Sequence, residues 1–103
     1  MATIPVAATV DNNTITFVVN PEDDHQDPTN DQLTVVSDDT AGTVGTLAVN
    51  DDTHGAVLTL NHVEGTVNVT FSDPSAANVE DLVFAVTVGA GPTSQLAGTA
   101  TVA

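Results

Sequence analysis

Five carboxylates fall within ten residues, Glu22, Asp23, Asp24, Asp27 and Asp31, and this is the densest patch of chemically capable side chains in the sequence. Carboxylates so close repel one another unless water, salt or a hard cation intervenes, and calcium takes six to eight oxygens at flexible sites of this kind. Asp23, Asp24, Asp27 and Asp31 are therefore the candidate calcium ligands. An EF-hand loop would need a glycine and a closing glutamate at offsets that this loop lacks. A hydrated acidic loop is the simpler competing reading.

The remaining reactive groups do not form a constellation. His25, His54 and His62 fall in three separate connections with no His-x-x-x-His spacing, and read as solvated loop histidines. Ser37, Ser72, Ser75 and Ser94 show no G-x-S-x-G elbow. Lys, Arg and Cys are all absent, so an oxyanion or a phosphoryl group would have backbone amides alone to stabilise it. The expectation is a protein that is not an enzyme. Missing cations also exclude the phosphate contacts on which nucleic-acid binding and anionic-membrane binding rest. The two N-x-T triplets, at Asn12 and Asn68, are ordinary for a chain with 17 Thr and are not read as glycan sites.

These side chains must be positioned by a single domain, since 103 residues supply one modest core. The charge of −14 is unopposed, while an apolar fraction of 41% is too high for a disordered acidic tail. Seventeen Val and 17 Thr against six Leu and two Ile favour strands, because branched side chains suit a pleated, half-buried surface. With only Phe17, Phe71 and Phe84 as aromatics, the core must be built mainly from Val, Leu and Ala. Abundant Asp, Thr and Val without Lys also resembles the composition of proteins from high-salt organisms, against which stand eight Asn.

Period-two alternation recurs along the chain, each time cut by a turn cluster. It predicts strands over 4–10, 14–20, about six residues around Leu33 and Val35, 44–49, 56–61, 66–72, around 82–88, and 96–102. Asp73-Pro74-Ser75-Ala76-Ala77-Asn78 reads as a corner with one helical turn. The expected architecture is all-β, an antiparallel immunoglobulin-like sandwich of about seven to eight strands spanning 1–103. Segment 1–9 is uncharged and is expected to be either the first strand or an arm that adds to another molecule's sheet, with Ile4 and Val6 as candidate protein contacts. The start has no positive n-region and no long apolar stretch, which points to a complete chain kept in the cytoplasm until assembly or to an excised domain given a start Met. No apolar run approaches the ~20 residues of a membrane span.

Three stretches resemble the bacterial immunoglobulin-like and cadherin-like repeats of adhesins and phage surface proteins. Asp27-Pro28-Thr29-Asn30-Asp31-Gln32-Leu33-Thr34-Val35 is similar to the D-P-D-G-D-x-L-T-V of that family, with Thr29 and Asn30 in place of the second Asp and the Gly. Gly42-Thr43-Val44 onward resembles its H-G-T-V-x-L-N strand. Pro74-Ser75-Ala76-Ala77-Asn78, followed by Glu80, Leu82, Phe84 and Val86, resembles its P-x-A-N corner and the strand after it. The resemblance implies a spacer, adhesive or decorating module, with calcium in the acidic loop where tandem modules meet. Thr29 removes the middle carboxylate of that loop, and the usual aromatics are reduced to Phe84. The expected role is a virion surface protein, a decoration, cement or turret protein docking on a major capsid protein or other virion protein, with self-association as an option. The alternative is one calcium-responsive repeat of a secreted adhesin.

Overall fold

The alternating Val- and Thr-rich segments form seven strands in the computed structural model, which describes residues 2–23, 25, 28–76, 78–91 and 96–102. They are β1 (Ala2–Thr9), β2 (Thr14–Val18), β3 (Thr34–Ser37), β4 (Gly45–Val49), β5 (Gly55–Leu60), β6 (Gly65–Ser72) and β7 (Leu82–Gly89). One sheet has the order β1-β7-β6-β3 and the other β2-β5-β4. The all-β sandwich expected from the sequence is what the chain builds.

Every strand pairing among the described residues is antiparallel except one. β1 runs parallel to β7, in register from Ala2↔Leu82 to Thr9↔Gly89. Parallel neighbours need a long crossover, and here the whole sandwich lies between them. Residues Ala2–Thr9 are thus a strand of the chain's own sheet. Pro5 is accommodated because β1 is an edge strand, where a missing N–H need not break a ladder.

The expected strand at 96–102 does not form: these residues are coil, and Leu96 and Val102 are 94% and 95% exposed. The reason is topological. β7 already has β1 on one side and β6 on the other, so the chain leaving it finds no vacant edge beside it. The corner after β6 also differs from expectation. It is built from turns, Ala76 N–H to Asp73 O and Val79 N–H to Ala76 O, and no helix occurs among the described residues.

Alternation becomes packing at the two central strands. Ala56, Leu58 and Leu60 of β5 face Val67, Val69 and Phe71 of β6, and all six are buried. Each large apolar side chain sealed in this way contributes roughly 1.5–3 kcal/mol. Phe84 links the layers: its ring centroid lies 4.8 Å from that of Phe17 on the opposite sheet and 5.7 Å from that of Phe71, edge to face. Three aromatics suffice because they meet at one point.

The β3–β4 connection turns on Asp39. Its carboxylate accepts the N–H groups of Thr43 at 3.0 Å, Val44 at 2.8 Å and Gly45 at 3.1 Å. Gly42 takes φ 69° in the same turn, a conformation that disfavours any side chain with a Cβ.

Candidate functional site

The acidic loop and the β6–β7 corner meet at one end of the sandwich. Loop 21–30 is closed at its base by a bridge between Glu22 and Pro28 and by Thr29 N–H to Pro21 O at 2.8 Å. Within it, Asp23 Oδ1 accepts the His25 N–H at 2.9 Å, a local turn that holds Asp23 at the surface. The loop exit is gripped by the β4–β5 turn. There His54 donates from Nε2 to the Asp31 carbonyl at 2.7 Å, and Leu33 N–H reaches Thr53 Oγ1 at 2.8 Å.

These bonds deliver Asp31 to the corner. Ser75 Oγ lies 2.7 Å from Asp73 Oδ1 and 3.2 Å from Asp31 Oδ2, and the Ser75 N–H also bonds Asp73 Oδ1 at 3.0 Å. A cavity of about 310 Å³ opens here, rimmed by Glu22, Asp31, Asp73 and Glu80 and floored by Leu33 and Phe71. Thr29 also lines it, with a hydroxyl closed to solvent and no hydrogen-bond partner among the described residues.

Two carboxyl groups this close do not ionise independently. Asp31 is pushed above the ordinary aspartate value, first by its hydrogen bond to Asp73 and then by the negative charge of Asp73. Asp73 is held below it, first by the Ser75 hydroxyl and then by the hydrogen bond from Asp31. As the pH falls, Asp31 therefore takes up a proton before Asp73 does.

Of the four expected calcium ligands, Asp24 and Asp27 lie outside the described residues. Asp23 sits out on the loop and Asp31 turns to the corner. No group of three or more His, Cys, Asp or Glu side chains is arranged to hold a metal among the described residues. Asp73 and Ser75 are the partners that sequence reasoning did not connect to the loop. Ser75 is 44 residues from Asp31, too far for a local signal, and only the Asp-Pro-Ser corner marked this segment as a turn. Ser75 and His54 are engaged with different partners, a carboxylate pair and a backbone carbonyl, so the geometry fixes a loop against a corner. The two expected contact residues also part ways: Ile4 is 43% exposed, whereas Val6 packs against the core.

No protein-family model and no curated protein matches the chain. Solved structures do. The chain is similar to domains 4 and 5 of the S-layer protein SbsC, at 21% identity and a TM-score of 0.57, over 87% of this chain and 49% of that one. It is similar to domains 4–9 of the same surface layer protein at 23% identity and a TM-score of 0.58, over 89% of this chain and 13% of that one. A structure of its residues 31–844 gives 22% identity and a TM-score of 0.58, over 90% and 12%. The chain thus spans half or less of each of these three structures, and the likeness is one of fold.

Proposed function

We propose that the chain is a non-catalytic structural module of an outer surface layer, held there by contacts with other proteins. The supporting observation is the fold likeness to S-layer protein domains over nearly the whole chain. The connectivity fits this reading: β2-β5-β4 and β7-β6-β3 are read as the two sheets of an immunoglobulin-like sandwich, a scaffold that serves as a spacer. The charge fits as well. An unopposed −14 keeps neighbouring copies apart in water and leaves contact to apolar and backbone groups.

Fractionation of the source cells, with the chain followed by antibody, tests the reading. Recovery with the cell envelope or with shed surface material supports it. Sedimentation with virus particles keeps the structural module and moves it to a virion coat. Recovery as a free cytosolic protein overturns it.

A further inference from the structure

The side of the sandwich away from β1 is open. There the two sheets end in β3 and β4, each paired on one side alone. Between them runs a cleft of about 460 Å³, lined by Val35, Val36, Leu47 and Val49 and by the turn at 39–42. Leu47 and Val49 are core-facing positions, opposite Leu58 and Ala56 of β5. Yet Val49 is 43% exposed while Leu58 and Ala56 are sealed at 0%. A sandwich closed on this side would cover them. The opposite side is different, because Pro5 in the edge strand β1 supplies no N–H to an incoming strand.

The chain also carries a strand-like segment that joins neither sheet. Residues 96–102 alternate, with Leu96, Gly98, Ala100 and Val102 on one face, and no charged residue follows Asp81. Leu96 and Val102 are almost fully exposed, so the segment projects from the sandwich and does not lie over its own cleft. The molecule measures 71 × 22 × 20 Å, far longer than the ~26 Å of an eight-residue strand.

We propose that segment 96–102 of one copy adds as a strand in the β3–β4 cleft of a second copy. Seven residues extend over about 23 Å, enough to run along the four residues of β3 or the five of β4. Strand addition gains backbone hydrogen bonds that edge strands leave unmade, and it places apolar side chains over Val35, Leu47 and Val49. An uncharged donor segment makes this contact possible between two chains of charge −14. Donor and cleft are different surfaces, so the contact is head to tail and propagates into a row of copies.

Sedimentation velocity on the 103-residue chain at high protein concentration, in molar salt to screen repulsion, tests the proposal. The expected result is a ladder of species with a weight-average mass at least twice the 10.4 kDa of one chain. A chain ending at Gly91, Leu96→Asp in the donor and Val49→Asp in the cleft each return it to monomer with the melting temperature kept. A monomer under all conditions overturns the proposal, as do oligomers that survive truncation. A monomer whose melting temperature drops on truncation also overturns it, showing that the segment closes its own cleft. Each of these outcomes leaves the surface reading to be judged by fractionation.

Discussion

Thr53 accepts the Leu33 N–H on its hydroxyl at 2.8 Å while holding its own backbone at φ 61°. A β-branched residue in that region is strained, and the bond it makes explains why the strain persists. Thr53 Oγ1 also donates to Asp52 O at 2.6 Å, so one side chain ties the β4–β5 turn to the start of β3. Val19 N–H to His54 O, at 2.8 Å, adds β2 to the same knot.

Thr53→Val keeps the shape and removes the acceptor, leaving the Leu33 N–H unsatisfied. The expected loss is about 1–3 kcal/mol. Thr53→Ser keeps the hydroxyl and relieves the branched side chain, and is expected to match or exceed the parent. Chemical denaturation of the two variants checks this, and equal losses in both would refute the role given to the hydroxyl.

Acid should loosen the β3–β4 turn through Asp39. Its carboxylate is held below the ordinary value of 3.8, above all by the Gly45 N–H; desolvation pushes the other way, and the N–H groups of Val44, Thr43 and Gly42 add to the lowering. A depressed folded pKa gives stability that is present above 3.8 and is lost as pH falls through the lower folded value. Asp39→Asn is expected to melt lower than the parent at neutral pH and to show a weaker decline between pH 4 and pH 2. Thermal melts across that range measure it, and parallel curves would exclude Asp39 as the cause.

The Asp31–Asp73 pair predicts the opposite sign for one of its members. Asp31 has a raised folded pKa, so its contribution is present below the ordinary value and is lost as pH rises through the raised one. Asp73, held low, contributes above the ordinary value and loses that contribution in stronger acid. Asp31→Asn supplies a permanent donor toward Asp73 and removes a charge. Its melting temperature is therefore expected to exceed the parent's at pH 7 by a few degrees and to converge with it near pH 3. A lower melting temperature at both pH values would show that repulsion between the two carboxylates is not what limits this contact.

Salt should stabilise the parent for a related reason. Fourteen like charges repel across one small domain, and the screening length shrinks from ~8 Å to ~3 Å between physiological and molar salt. The melting temperature is expected to rise with sodium chloride. Calcium and magnesium at equal ionic strength are expected to act alike if the acidic loop is a hydrated surface. A shift unique to calcium would instead restore the loop carboxylates as ligands.

The layout of the sandwich was largely legible because alternation and turn clusters report burial directly. Val67, Val69 and Phe71 predicted β6, and Leu82 to Val88 at alternate positions predicted β7. The same signal misled at 96–102, since alternation says that a segment suits a sheet and is silent on whether an edge beside it is vacant. At the site, the loop carboxylates were visible as a cluster, but the partner of Asp31 was not. The contact with Asp73 and Ser75 depends on the β4–β5 turn steering the loop exit across the end of the sandwich. Nothing within ten residues of Asp31 encodes it.

The parallel register of β1 and β7 has a mechanical meaning. The polypeptide comes in beside Leu82 and departs beside Gly89, at opposite poles. Tension drawn between those poles shears all eight register pairs simultaneously, whereas a hairpin pulled from its open end unzips one pair after another. A coat built from such units would resist stretching along the strand axis and yield more readily across it.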